Sequence, residues 1–363
     1  MLRFIPTNSG PAGGFFIGER FALDSGYRKI IHVESDAMPV SENAIEALDR
    51  ETEGGQAAVP MMVSADRALR IPSYMHQYCC VPASCLRAVG LTYVPLNFGG
   101  EDSSLFERIR NFCGVRVVKG AWVSHPTFSR ITKPWRIYGY VRGPLVSVMP
   151  WEGYFTYTWR LFRETVTSVA YASFSAQASR DSFRAILDSA NLPGRLPFPP
   201  DTKEENTGIT GVPFQGKLPP YDRFYLQLTG PAKNGEYVHL KWIEKGKLRV
   251  VEVSSFFPRM AARISMMLDS AGKTVVSNQI SPLFPLFSKK FYILEHNQLI
   301  ECTPGRIGRL WVAAAYIFAP AILLASALFS AYCFAFVRPA WRKEVFQYGL
   351  DENEKKHGRG PIS

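Results

Sequence analysis

From Leu310 to Val337 the chain carries no charged residue across 28 positions. As a helix that run is about 42 Å long, against a bilayer hydrocarbon core of about 30 Å, so it predicts a tilted membrane span. Trp311 and Trp341 bracket the run at the expected depth of an aromatic belt. Arg306, Arg309, Arg338, Arg342 and Lys343 stand at or just beyond its ends, where long cations reach headgroups. We therefore take Arg309, Trp311, Arg338, Trp341 and Arg342 as the expected interface anchors.

Within the run, Pro320 removes the hydrogen bond to the carbonyl of Tyr316, which predicts a kink. Beyond it, Ala327, Ala331 and Ala335 recur at four-residue spacing beside Ser326 and Ser330. Such a small-residue face lets another helix approach closely, and the anchor is expected to pack against a neighbour.

The chain has 363 residues, 47 % of them hydrophobic, enough for a packed core and for two domains. Its net charge of +11 suits nucleic acid, an anionic membrane face or the mitochondrial matrix. The basic residues are scattered, as at Arg108, Arg110, Arg116 and Lys119, with no block of five like charges, which argues against nucleic acid. Six cysteines do not form a disulfide pattern for a body this large, and no Asn-x-Ser/Thr site occurs. The N-terminus lacks the apolar stretch of a secretory signal, and Pro6, Gly10, Pro11, Gly13 and Gly14 predict a flexible lead-in. These features favour a body in the mitochondrial matrix with a single-pass anchor in the inner membrane. Lys and Arg close to the span are more numerous on its C-terminal side.

The fold expected is an α+β soluble body with one C-terminal transmembrane α-helix. Residues 1–190 form an α+β region. In it, Ile30, Ile31 and Val33 mark a strand, Ser41 to Arg50 a short helix with Ser41 as N-cap, Asp102 to Phe112 an amphipathic helix and Val115 to Val123 a strand. Tyr154 to Ala190 has no Gly or Pro and permits one long helix. Residues 191–220, rich in Pro and Gly, read as a linker or extended arm laid over a partner. Residues 221–309 read as a small α+β region. Glu236–Ile243 and Leu248–Val253 form one hairpin, Phe291–Leu294 and Leu299–Cys302 another, and a helix runs from Pro258 to Leu268. The span at 310–337 and a basic polar tail at 338–363 complete the chain.

Catalytic patterns fail on inspection. Gly272-Lys273-Thr274 ends like a phosphate loop, but Met267 stands where its first glycine belongs. His76, Cys79, Cys80 and Cys85 gather potential metal ligands without paired C-x2-C loops, and read as buried thiols. His32, Glu34 and Asp36 alternate along one strand face, an arrangement common on solvated strands. No cofactor or metal is expected. The reading is a non-catalytic accessory subunit of a mitochondrial inner-membrane oxidative phosphorylation complex, a respiratory chain complex or ATP synthase, acting in assembly or stabilisation. Its partners would be other subunits and membrane lipid. The alternatives are a tail-anchored outer-membrane receptor or tether, and a membrane-anchored metal-dependent enzyme.

Overall fold

The computed structural model describes residues 10–52, 54–63, 70–72, 78–125, 134–172, 175–191, 211–213, 222–232, 235–244, 247–253, 264–266, 268–277, 287–295, 298–301 and 306–350. Where a flexible lead-in was expected, helix α1 runs over Gly10–Asp24. Pro11 sits in its first turn, where no backbone donor is needed. Ala12, Ala22 and Leu23 bury one side of it, and the Glu19 carboxylate accepts bonds from the Thr92 amide and hydroxyl, 2.7 and 2.6 Å away. Tertiary burial outweighs the low helix propensity of its glycines.

Strands β1 (Lys29–Val33), β2 (Met38–Pro39), β3 (Ala57–Val63), β4 (Arg70–Pro72), β5 (Tyr78–Pro82) and β6 (Val115–Ser124) make one sheet. Its order is β1-β5-β3-β6-β2, with β4 added on β3, and only β3 and β6 run parallel. Their register shifts between Pro60 and Met61, at a residue that has no amide proton to donate. Both faces are covered, so β5 is buried throughout. Cys79 and Val81 point to the side of α3 (Ala83–Val89) and α4 (Glu101–Phe112), meeting Leu86, Leu105 and Ile109. Tyr78 and Cys80 point to α2 (Ala44–Glu51), meeting Ala44 and Leu48. The expected Ser41 cap is displaced. Asn43 occupies the N-cap position without a side-chain bond, while the Ser41 hydroxyl accepts from the Trp122 amide at 2.8 Å.

Helix α5 covers Pro134–Val148. The long helix expected from Tyr154 onward is two helices, α6 (Tyr154–Ala172) and α7 (Ala176–Asp188). Ser175 breaks it, with extended backbone and a hydroxyl that accepts from the Ala178 amide at 3.1 Å. A serine able to cap thus starts a new helix rather than continuing the old one. The hydroxyls of Ser168 on α6 and Ser182 on α7 bond each other where the two helices meet.

A second sheet takes β7 (Gly211–Pro213), β8 (Arg223–Ala232), β9 (Gly235–Glu244), β10 (Lys247–Val253), β11 (Thr274–Ser277), β12 (Lys290–Glu295) and β13 (Gln298–Glu301). The order is β10-β9-β8-β11-β12-β13-β7, and both expected hairpins are present, β9 with β10 and β12 with β13. Part of the 191–220 segment joins this sheet as β7 on β13; its residues 192–210 and 214–220 lie outside the described residues. Most of the helix expected at 258–268 also lies outside them. Val275, Phe291 and Ile293 share one core with Ile137, Leu145, Leu161 and Ile186. The second sheet therefore packs on α5–α7.

At the C-terminus α8 (Arg306–Ile317) and α9 (Ala319–Tyr332) are followed by a π turn at Cys333–Val337 and by α10 (Arg338–Val345). The stretch Ala319–Val345 is long and apolar enough to cross a membrane, by length and composition. Beyond it, residues 346–350 fold back onto the body: the Gln347 amide donates to Val89, and the Leu91 amide to Tyr348. Residues 351–363 lie outside the described residues.

Candidate functional site

The C-terminal helix has two faces of different chemistry. Ser326, Ser330, Cys333, Val337, Trp341 and Val345 are buried. Three of their steps after Cys333 are four residues long, a spacing that drifts around an α-helix. The wider π turn at 333–337 corrects for that drift and keeps the stripe on one side. The opposite face holds Ile317, Phe318, Leu324, Leu328 and Phe336, each more than 60 % exposed. Leu310 and Tyr332 extend it. A continuous apolar surface of this extent marks a site for lipid or for another protein.

The expected packing face is divided between these two sides. Ser326 and Ser330 are buried, and the Ala327 carbonyl accepts the Tyr154 hydroxyl at 2.7 Å, but Ala331 and Ala335 are exposed. The neighbour for the serines is α6 of the same chain, which runs along both α8 and α9. The kink falls at Phe318, which separates α8 from α9 two residues ahead of Pro320, and the proline occupies the first turn of α9.

The expected anchors are held by the body. Trp341 is not at a surface: it is buried, its indole donates to the Val146 carbonyl at 2.9 Å, and its ring meets Tyr93 edge-on. Arg338 and Arg342 both donate to the Pro150 carbonyl, at 3.0 and 2.7 Å, and lie over the rings of Phe334 and Trp151. Arg309 donates to the Ser288 carbonyl at 3.1 Å. The side chain of Trp311 lies outside the described residues.

In the sequence Arg108 is one scattered cation among many. It is fully buried on α4 and donates to the carbonyls of Ser104, Val89, Leu91 and Val345. Burial pulls its pKa down to about 10, partly offset by Glu19, so it remains charged at neutral pH. It thereby ties the ends of α3 and α10 together. No periodicity could have announced it, because its partners are backbone atoms up to 237 residues away.

The histidines and cysteines pair otherwise than their spacing suggests. Cys79, Cys80 and Cys85 diverge: Cys79 faces the His32 ring at 3.8 Å, Cys80 the Thr52 hydroxyl, and Cys85 the Gly55 carbonyl. His76 lies outside the described residues. His32 leaves its strand neighbours Glu34 and Asp36 and takes Glu19 as its ion-pair partner at 3.2 Å. Burial opposes the charge on His32, but Cys79 and Glu19 outweigh it and push the pKa up to about 10. Glu34 and Asp36 instead meet His125, from the end of the first sheet, at 2.7 and 3.2 Å. Their three ligand atoms lie close enough together to hold a cation. Burial works against the charge on His125 and the two carboxylates raise its pKa, so the trio also stands as an ion-paired cluster in its own right.

No protein-family model matches this chain, and no curated protein matches it either.

Proposed function

We propose that the chain is a non-catalytic, membrane-anchored subunit of a mitochondrial inner-membrane complex of the oxidative phosphorylation system, where it acts in assembly or stabilisation. The observation that carries this reading is the two-faced C-terminal helix, whose inner stripe is taken up by its own body while its outer face presents exposed leucines, phenylalanines and alanines. A helix that crosses the bilayer from Leu310 to Val337 takes α6 with it to membrane depth, because α6 packs along α8 and α9. Helix α6 carries Arg160, ion-paired with Glu152, and Arg163, ion-paired with Glu164. Charges at that depth cost several kcal/mol against lipid, so α6 calls for a protein neighbour rather than acyl chains. That requirement supports a subunit over a free-standing anchor. The basic composition and the absence of catalytic motifs in the sequence support the compartment and the accessory role.

The test is a pair of substitutions on the outer face, Leu324→Glu and Leu328→Glu. Each costs about 2–4 kcal/mol of membrane insertion and touches no buried contact. The expected result is a folded chain that alkaline carbonate releases from mitochondrial membranes, while the unsubstituted chain stays in the pellet. Retention of both variants in the carbonate pellet would contradict the anchor.

A further inference from the structure

Two carboxylates and a histidine meet at one end of the first sheet, and the topology brings two more carboxylates to the same end. Strands β1, β3 and β6 run in one direction, because β6 is parallel to β3 while β1 and β3 are both antiparallel to β5. Glu34 directly follows β1 and His125 directly follows β6, so both leave the sheet at its carboxyl edge. Strand β2 brings Asp36 beside them, since it pairs with the end of β6 and sets Met38 opposite Ser124. Helix α4 ends two residues before β6 begins and packs back along the sheet. Its first residues, Glu101 and Asp102, therefore lie at that edge as well.

The distances suit a metal ion. His125 Nε2 lies 2.7 Å from Glu34 Oε2 and 3.2 Å from Asp36 Oδ1, and the three ligand atoms are all within 4.8 Å of one another. Ligands held about 2.0–2.2 Å from one ion are themselves about 3–3.5 Å apart, so small side-chain rotations close this trio around it. The Glu34 and Asp36 side chains are 32 % and 34 % exposed, which gives an ion a way in from solvent. An ion pair with His125 accounts for those two carboxylates but not for Glu101. That residue is 7 % exposed, and its Oε2 has no hydrogen-bond partner. Asp102, by contrast, accepts from the Ser103 amide and hydroxyl at 2.6 and 3.2 Å. Burial, with the carboxylates of Asp102 and Glu34 nearby, pushes the Glu101 pKa well up. A buried carboxylate beside other carboxylates is costly to ionise unless a cation joins them.

The donor set selects the class of ion. One imidazole nitrogen with carboxylate oxygens suits zinc, manganese or ferrous iron better than magnesium or calcium, which take oxygen alone. Cys79, Cys80 and Cys85 are engaged with other partners and add no thiolate. We propose that Glu34, Asp36 and His125 bind one divalent transition-metal ion, with the Glu101 carboxylate beside them as a balancing charge. The ion ties the turn after β1 to the end of β6. The site belongs to the body, so it stands or falls independently of the membrane-subunit reading.

The experiment uses the full chain in mild detergent, stripped with chelator and returned to zinc, manganese or magnesium chloride. Elemental analysis gives the stoichiometry, isothermal titration the affinity, and the melting temperature the stabilisation; cobalt(II) reports the ligand set by its visible spectrum. The variants are His125→Gln, Glu101→Gln and Asp36→Asn, the last of which leaves the pair of His125 with Glu34 in place. The expected result is one zinc or manganese ion per chain, a raised melting temperature, weak competition by magnesium, and a cobalt spectrum without thiolate charge-transfer bands. Asp36→Asn and His125→Gln are expected to weaken binding by about 100-fold or more, and Glu101→Gln by about 10-fold. Melting curves of the metal-free variants show which of them fold, and loss of the ion from folded Asp36→Asn or folded Glu101→Gln supports the proposal. No zinc or manganese bound by the unsubstituted chain, undiminished binding by Asp36→Asn, or a thiolate band with cobalt overturns it.

Discussion

Two buried ionic residues join parts of the chain that are distant in sequence, and each makes a distinct prediction. Glu19 holds His32 and both donors of Thr92, linking α1 to β1 and to the segment after α3. Removing one partner of such a buried pair leaves the other charge uncompensated, so Glu19→Gln is expected to cost about 3–5 kcal/mol in urea unfolding. The pH dependence follows from the sign of the His32 shift. Its folded pKa, about 10, lies above the ordinary 6.5, so its contribution is fully present below pH 6.5 and is lost as pH rises toward 10. Urea midpoints measured across that range are expected to fall more steeply for the unsubstituted chain than for His32→Gln. Parallel curves would place the proton elsewhere. Arg108 works by a different principle, since its partners are four carbonyls rather than a carboxylate. A neutral replacement there strands acceptors from α3 and α10 together.

At the scale of elements, the closest approach is between α5 and the loop before α4. A Cβ placed on Gly143 would lie 1.5 Å from the Gly99 carbonyl oxygen, and Gly99 and Gly100 themselves have φ of +74° and +114°. Gly143→Ala is therefore expected to destabilise by about 1–3 kcal/mol or more, measured by thermal unfolding. Gly14→Ala, in α1 with open space around it, is expected to stabilise by about 0.5–1 kcal/mol. The same contrast shows what the sequence could reveal. The strands at 29–33 and 115–124, the helix at 101–112 and both hairpins are legible because alternation and helical periodicity are local signals. Helix α1 was hidden, because its glycines argue against a helix and its stabilising contacts come from Thr92 and Asn97, far along the chain. The candidate site was half legible. Hydropathy marked the apolar helix, but which of its residues face inward depended on α6 and on the π turn, neither of which leaves a pattern in the helix itself. His125 escaped notice for the same reason: its carboxylates lie about ninety residues upstream.

At the scale of the molecule, the apolar helix is built into the body at both ends, through Arg309 and Ser288 on one side and through Trp341, Arg338, Arg342 and the tail on the other. A chain anchored as we propose has its two ends on opposite faces of the bilayer. Cysteines placed at Leu310 and Lys343 are then expected to react with a membrane-impermeant maleimide from opposite sides of inner-membrane vesicles. Labelling of both from one side would instead mean that the helix lies along the membrane plane. On the reading we propose, the charges carried by α6 call for a protein neighbour in a bilayer. The most direct measurement is therefore gentle detergent extraction of mitochondrial membranes, followed by native gel electrophoresis and mass spectrometry of the band that contains the chain. Our account predicts migration within a large assembly, together with subunits of an oxidative phosphorylation complex in constant ratio; migration as a free monomer would contradict it.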